Sequence, residues 1–285
     1  MLLGVLAMAL RRCKLAALSL VITGWNALLI WPDVSPFRAA PPTERQAIVK
    51  VINLNLRFKN QRLDLVAEYL ASSGADIIGL VEATPRAKLA LTGLRAVYPY
   101  SLDCVGSVPE CQNMLFSKYP LKDAYAGPIA GRYPTIAIAT VEIPGGASLM
   151  VGVVHIMTPF TKPRAPLTAD APEPAPRFTA APELEQSFQA ANLAAFLRSQ
   201  PSDLLVIGDF NSAPWSPLQR AFRTGTGLDN RGRLLLTWPT AALPPFRLPL
   251  DPIFVRGRAE VVEIRLGPDV GSDHFPVEAE IALKQ

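Results

Sequence analysis

The chain has 285 residues, which is enough for one domain of about 250 residues with a short appendage or for two ordinary domains. Its hydrophobic content of 49% excludes a largely disordered protein. The net charge of +4 comes mostly from residues 1–45, which contain five basic and two acidic residues. Because the remainder is close to neutral, the basic balance does not indicate a polyanionic partner.

The first predicted element is an uncharged apolar segment, Leu15–Trp31, closed by Pro32. As a helix at about 1.5 Å per residue it would reach about 25 Å, slightly less than the roughly 30 Å of hydrocarbon in a bilayer. Three cations stand directly before it, namely Arg11, Arg12 and Lys14. By the positive-inside rule these cations keep the amino terminus in the cytoplasm and place the following chain outside it.

We therefore predict a membrane anchor and linker over residues 1–45, followed by one main domain over residues 46–285 on the outer face of the inner membrane. A cleaved signal peptide is the main alternative. In an oxidising compartment, Cys104 and Cys111 would be able to close a small disulfide loop, since six residues lie between them. Two free thiols are the alternative for this pair.

Strand and helix signals alternate through the main domain. Apolar runs predict strands at Ile48–Leu54, Asp76–Val81, Met114–Phe116, Thr135–Glu142, Leu149–His155, Leu204–Ile207, Leu250–Val255, Val261–Leu266 and Val277–Ala282. Helical spacing predicts helices at Arg62–Ala71, Pro85–Val97 and Glu183–Arg198, with a short one after Trp215. The segment Pro159–Pro182 contains seven prolines, so we predict a long loop there, either functional or a tolerated insertion.

Polar residues suited to metal or phosphate follow most of these strands. They are Asn55, Glu82, His155, Asp209 with Asn211, Asp251, and Asp273 with His274. Asp209 and Asn211 are two residues apart and would point the same way from the end of one strand. Singly, such residues would equally cap a turn or occupy the core. Together, their carboxylate and amide oxygens favour Mg²⁺ or Mn²⁺, and the histidines suit phosphate contacts and proton transfer.

The motifs at these strand ends resemble those of a known family. In chain order they read NLNLR, LVEAT, VVHIMTP, IGDFNSAP, LDPIF and GSDHFPV, spread over Ala47–Leu283. They look like the successive motifs of the endonuclease/exonuclease/phosphatase superfamily, with its deoxyribonuclease-I-like fold. An anchor followed by such a domain is similar to a bacterial membrane-attached group. The resemblance implies an α/β, four-layer sandwich, with two mixed β-sheets face to face and helices outside, here preceded by the amino-terminal hydrophobic helix.

The resemblance also implies a metal site. Asn55 and Glu82 would hold the catalytic Mg²⁺, with Mn²⁺ as a substitute, and Asp273 would assist them. Metal and hydrogen-bond donors would then neutralise the phosphoryl group that is being attacked.

The same resemblance implies roles for the remaining strand-end residues. Asp209 would orient or deprotonate the attacking water, and Asn211 would hydrogen-bond the phosphate or that water. His274, paired with Asp251, and His155 would contact the scissile phosphate. Whether Asp209 or the pair formed by Asp251 and His274 acts as the base stays open.

The sequence therefore predicts a metal-dependent phosphoesterase that hydrolyses a phosphodiester or phosphomonoester, lipid-linked substrates included. The first alternative is a membrane-tethered nuclease acting on DNA or RNA. The second is a non-catalytic binding module on the same fold, which would have lost at least one metal or proton-transfer residue; all eight are present. We expect a monomer, attached to the membrane by its amino-terminal helix and without a protein partner.

Overall fold

The structure is a computed structural model, which describes residues 13–34, 47–108, 111–159, 182–230 and 234–284. The chain divides into two compact units, Met1–Phe37 and Arg38–Gln285. The predicted domain boundary between residues 45 and 46 lies outside the described residues, as does most of the predicted proline-rich loop.

The first unit contains helix α1, Cys13–Val34, at the place where the apolar segment predicted one. Thr23 and Asn26 in its middle donate side-chain hydrogen bonds to carbonyls one turn earlier. Among the helices of the described residues, none combines the length and the apolarity needed to cross a membrane. The predicted membrane-spanning helix is therefore not supported, and membrane attachment stays a prediction.

The second unit is built from twelve strands within the described ranges. In chain order they are β1 (Ala47–Asn55), β2 (Ile77–Val81), β3 (Tyr100–Asp103), β4 (Met114–Ser117), β5 (Leu121–Ile129), β6 (Arg132–Ile143), β7 (Ala147–His155), β8 (Leu204–Asp209), β9 (Asp229–Asn230), β10 (Ile253–Arg256), β11 (Ala259–Leu266) and β12 (Val277–Leu283). They form two six-stranded sheets, ordered β11-β12-β1-β2-β4-β3 and β5-β6-β7-β8-β10-β9. Each sheet is mixed, because β1 with β2 and β7 with β8 are the parallel pairs and the other pairs of strands are antiparallel.

Within the described part of the second unit, four helices accompany the sheets. They are α2 (Leu63–Ser72), α3 (Pro85–Ala90), α4 (Pro182–Arg198) and α5 (Pro217–Thr226), with short 3₁₀ turns at Thr92–Ala96 and Pro244–Phe246. The helix predicted over Pro85–Val97 is thus too long. It ends because Leu91 leaves helical geometry (φ −91°, ψ 6°), and Gly93, a poor helix former, follows in the 3₁₀ turn.

The helices cover the outer faces of the two sheets. One apolar cluster joins β1 and β2 to α2, and a second joins β6 and β7 to α4 and α5. The inner faces of the sheets meet directly, since a side chain at Gly79 of β2 would collide with Ile207 of β8 and Val153 of β7. The predicted four-layer α/β sandwich is confirmed.

Packing of the sheets brings the ends of the two parallel pairs together. Asn55 lies opposite Val81 in one sheet, and His155 lies opposite Asp209 in the other. Asn53 is fully buried and donates from its amide to the Gly208 carbonyl across the sandwich at 2.9 Å. The strand ends that carry the predicted site residues therefore converge on one edge.

The pairing of β8 with β7 requires glycine at position 208, where Gly208 lies opposite Val154. Its φ is 143°, and a Cβ atom at this position would lie 1.7 Å from the Val154 carbonyl oxygen. Residues with side chains rarely adopt this backbone conformation, and the contact is far inside van der Waals distance. Only glycine therefore fits immediately before Asp209.

Cys104 and Cys111 form a disulfide, with their Cα atoms 5.6 Å apart. Both residues are buried. The sequence left a disulfide and two free thiols as alternatives for this pair, and the structure contains the disulfide.

Candidate active site

Glu82 follows directly after β2 and turns into the site. Its backbone lies in the left-handed region, with φ of 54°, which costs a residue with a side chain about 1 kcal/mol. Both carboxylate oxygens are held: Oε1 accepts from Asn55 Nδ2 at 3.0 Å, and Oε2 accepts from the Phe58 backbone N–H at 3.0 Å. These hydrogen bonds fix the carboxylate at the strand end.

Asn55 links two carboxylates. Its Nδ2 donates to Glu82 and also to Asp209 Oδ2 at 2.9 Å, while its Oδ1 accepts from the Arg57 backbone N–H at 2.8 Å. The amide nitrogen, rather than the oxygen, therefore faces the acidic groups. For Asn55 to act as a metal ligand, its amide would have to rotate by about 180° and release Arg57.

His155 and Asn211 form the next part of the site. His155 Nε2 lies 3.9 Å from both Glu82 Oε1 and Asp209 Oδ2. Asn211 Nδ2 donates to His155 Nε2 at 3.1 Å and to the Ile156 carbonyl at 2.9 Å. Because an amide nitrogen only donates, Nε2 of His155 is the acceptor in this hydrogen bond.

His274 and Asp251 form a buried pair. His274 Nδ1 lies 2.8 Å from Asp251 Oδ2, and its Nε2 lies 3.7 Å from Asp209 Oδ2. Burial by itself lowers the pKa of His274, but the charges of Asp251 and Asp209 outweigh it and raise the pKa to about 10. His274 is therefore an imidazolium at neutral pH, with its Nε2–H directed toward the centre of the site.

Asp209 is the carboxylate on which these groups converge. It is 1% exposed, and its Oδ1 accepts from the Asn211 backbone N–H at 2.7 Å. Burial and the neighbouring charge of Asp251 raise the pKa of Asp209 to about 6, against the opposing effects of His274, His155 and the Asn211 N–H. Asp209 is thus ionised at neutral pH, and its pKa is close enough to neutral pH for the carboxylate to accept a proton.

Asp273 occupies a different position from the other acidic residues. Its side chain is 38% exposed and pairs with Arg57, with 3.8 Å between Oδ2 and Arg57 Nε. The neighbouring Ser272 is buried, donates to the Asn55 carbonyl at 2.6 Å and accepts from the His274 backbone N–H at 3.1 Å. Sequence reasoning missed this serine, although serine favours turns because its hydroxyl can hydrogen-bond the backbone two residues on.

Two groups of side chains in the described part of the chain have metal-ligand spacing. One comprises Glu82, His155 and Asp209, and the other comprises Asp209, Asp251 and His274, with the ligand atoms in each group within 4.8 Å of one another. Asp273 belongs to neither group. The first group fits a divalent cation, because two carboxylates and an imidazole face one point beside the Asn55 amide.

Three solved structures show the same fold. The D. rerio TDP2 complexed with single strand DNA product is 17% identical, has a TM-score of 0.59, and the match covers 82% of this chain and 99% of that one. The human Nocturnin catalytic domain with bound sulfate anion is 18% identical, with a TM-score of 0.60 and coverage of 86% and 100%. Sphingomyelinase C from Streptomyces griseocarneus is 17% identical, with a TM-score of 0.54 and coverage of 82% and 99%.

At these identities the likeness establishes the fold. Among curated proteins, none shows significant sequence similarity to the chain. The family model described as "Endonuclease/Exonuclease/phosphatase family" matches residues 25–274, which is most of the chain. The chain therefore belongs to the endonuclease/exonuclease/phosphatase family.

Proposed function

We propose that this protein is a divalent-metal-dependent phosphoesterase. One observation carries the proposal: a single buried oxygen, Asp209 Oδ2, faces Asn55 Nδ2 at 2.9 Å, His274 Nε2 at 3.7 Å and His155 Nε2 at 3.9 Å. A buried carboxylate whose pKa is raised toward neutrality by burial and by Asp251 is suited to take a proton from water.

The chain's own groups would divide the work of hydrolysis. Asp209 accepts a proton from the attacking water while the water oxygen bonds to phosphorus and the ester oxygen leaves. The imidazolium of His274 donates from Nε2 to a phosphate oxygen, and Asp251 holds that ring in place. A divalent cation held by Glu82, with the Asn55 amide rotated so that its oxygen faces the ion, would neutralise charge on the phosphate oxygens.

Metal dependence provides the first test. The purified chain is assayed with bis(p-nitrophenyl) phosphate and with p-nitrophenyl phosphate, each in Mg²⁺, in Mn²⁺ and in EDTA. We expect turnover that requires a divalent cation and that falls about 100-fold or more in Glu82→Gln. Turnover that persists in EDTA would contradict the proposal, and so would a Glu82→Gln variant as active as the native chain.

We further propose that the ester is carried by a lipid. The 3₁₀ turn Pro244–Phe246 presents Leu243 and Phe246, which are 71% and 72% exposed. This loop lies beside the site, because the Thr240 backbone N–H donates to the Asp273 carbonyl at 2.9 Å. Large apolar side chains on a loop beside a phosphate-cleaving site support contact with a lipid surface.

Arg247 braces the same loop. Its Nε donates to the Ala242 carbonyl at 2.8 Å, its Nη2 donates to the Thr240 carbonyl at 3.1 Å, and its guanidinium lies over the Phe275 ring at 4.6 Å. The loop therefore holds its apolar tip in a fixed position and does not fold it inward, which supports a role for the tip in contacting another surface.

Surface variants separate lipid contact from chemistry. Leu243→Ser with Phe246→Ser should lower turnover of phospholipid in vesicles and leave turnover of bis(p-nitrophenyl) phosphate unchanged. Leu89→Ser is the matched control, since Leu89 is 77% exposed on α3. Equal losses on both substrates would refute lipid contact at this loop.

A nuclease is the second candidate. The segment after β1 carries Arg57, Lys59 and Arg62 around Phe58, which is 43% exposed and donates its backbone N–H to Glu82. Cations interleaved with an exposed ring beside the site suit a single strand of nucleic acid. Hydrolysis of single-stranded DNA or RNA that Phe58→Ala lowers about tenfold would favour this function over phospholipid hydrolysis.

We also propose that the second unit acts outside the cytoplasm, as part of the bacterial membrane-attached group that the sequence resembles. The buried disulfide between Cys104 and Cys111 supports an oxidising compartment. The test is a reporter that functions only in the cytoplasm, fused after Gln285. Activity of this reporter would contradict the proposed location.

A further inference from the structure

Two buried glutamines on α4, Gln186 and Gln189, contact the backbone at the active-site edge. Each is 6% exposed. Gln186 Nε2 donates to the Met157 carbonyl at 3.0 Å and to the Asn211 carbonyl at 2.9 Å. Gln189 Oε1 accepts from the Met157 backbone N–H at 3.1 Å. One side-chain amide thus bridges the segments that follow β7 and β8, and both backbone groups of Met157 are held by the same helix.

The buried face of α4 changes its chemistry along its length. Gln186 and Gln189 lie on the same stripe as Leu193 and Leu197, at spacings of three and four residues. The two leucines are fully buried in the apolar cluster beneath the helix. Burying an amide costs free energy unless it is hydrogen-bonded, so a stripe selected only for stability would continue with apolar residues. The switch to amides occurs at the end of the helix that meets the site.

The bridged segments carry His155 and Asn211. The Asn211 amide reaches across from one segment to the other, donating to His155 Nε2 at 3.1 Å and to the Ile156 carbonyl at 2.9 Å. If the segments moved apart by about 1 Å, both distances would exceed the limit for a hydrogen bond. A displacement of that size costs on the order of 100-fold in rate.

We propose that Gln186, assisted by Gln189, is a positioning residue that acts through Asn211. Gln186 fixes the separation of the two segments, and this fixes the Asn211 amide against His155. The inference rests on the proposed phosphoesterase function. It assigns to α4, which carries none of the strand-end residues, the task of holding two of them in register.

A double-mutant cycle tests this role. Gln186→Met keeps the side-chain volume and removes the amide, and we expect kcat to fall about tenfold or more with KM nearly unchanged. In an Asn211→Ala background the same change should lower kcat less than threefold, because the residue through which it acts is gone. Equal losses in the two backgrounds would overturn the proposal.

Asn192→Leu is the matched control. Asn192 lies on the same helix and donates to the Tyr133 carbonyl at 3.2 Å, away from the two segments. Its replacement should lower the melting temperature as Gln186→Met does, yet leave kcat unchanged. If Gln186→Met does not fold, Gln186→Asn takes its place, since it keeps an amide that is too short to bridge both carbonyls. A kcat loss in Asn192→Leu equal to that in the Gln186 variant would overturn the proposal.

Hydrogen–deuterium exchange separates this proposal from the proposed function. A native chain without turnover on any phosphoester refutes the function and still permits the positioning test. Gln189→Met should then accelerate exchange of the Met157 amide, which loses its acceptor, and Asn192→Leu should not. Unchanged protection of Met157 in Gln189→Met would show that the glutamines do not hold the segment.

Discussion

Replacing Asp251 by Asn should return His274 to titration near neutral pH. The pKa of His274 is about 10 against an ordinary value of 6.5, and Asp251 has the largest effect of the three carboxylates that raise it. At about 1.4 kcal/mol for each pKa unit, the imidazolium is favoured by roughly 5 kcal/mol. Removing the carboxylate at 2.8 Å should remove most of that preference while burial continues to oppose the charge.

The chain offers a direct assay for this change, because it contains only two histidines. In a His155→Gln background, the NMR signals of the single remaining imidazole report His274 alone. We expect titration near pH 10 with Asp251 present and below about pH 8 in Asp251→Asn. Titration of His274 near pH 6.5 with Asp251 intact would refute the assignment of a charged imidazolium.

The same pair should make stability depend on pH. His274 has a folded-state pKa above its unfolded value, so its contribution is complete below about pH 6.5 and is lost as the pH rises toward 10. The difference in free energy of unfolding between the native chain and Asp251→Asn should shrink across that range. A difference that is constant from pH 6 to pH 10 would show that the charge of His274 does not stabilise the fold.

Two further predictions concern Asp209 and its support. Gly208→Ala should lower the free energy of unfolding by about 3 kcal/mol or more, because its Cβ atom would lie 1.7 Å from the Val154 carbonyl oxygen. Gly93→Ala is the control and should not destabilise the fold, because no atom lies within 4 Å of the added Cβ. Urea unfolding measures both variants. On the acidic side of the pH–rate profile, at or below pH 6, kcat/KM should fall about tenfold for each pH unit. The reason is that the pKa of Asp209 is about 6 and that a bound cation lowers it further. A kcat/KM that stays constant down to pH 4 would exclude Asp209 as the base.

The strand ends were predictable from sequence because each buried strand is an apolar run that stops at a polar residue. The edge strands β3, β5 and β9 were not predicted. The first half of β5 is exposed, and its burial alternates too weakly to give a period-two signal. Tyr100–Asp103 is likewise only partly buried along its length. The sequence pattern therefore identified the central strands, which carry the site, more readily than the edges.

The sequence does not decide which side chain of two neighbours points inward. Asp273 and His274 are adjacent, and the structure directs His274 into the site while Asp273 faces Arg57 at its margin. Gln186 was beyond sequence reasoning for a related reason. Its partners Met157 and Asn211 are 29 and 25 residues away, so the contacts exist only after the sheets have packed.

The central claim is that Asp209 takes the proton from the attacking water, and one measurement tests it most directly. Steady-state hydrolysis of bis(p-nitrophenyl) phosphate in saturating Mg²⁺ is compared between Asp209→Asn and Asp123→Asn, which replaces an exposed carboxylate on β5. We expect kcat to fall about 100-fold or more in Asp209→Asn and to stay unchanged in Asp123→Asn, with both variants folded. Full activity in a folded Asp209→Asn variant would contradict the account.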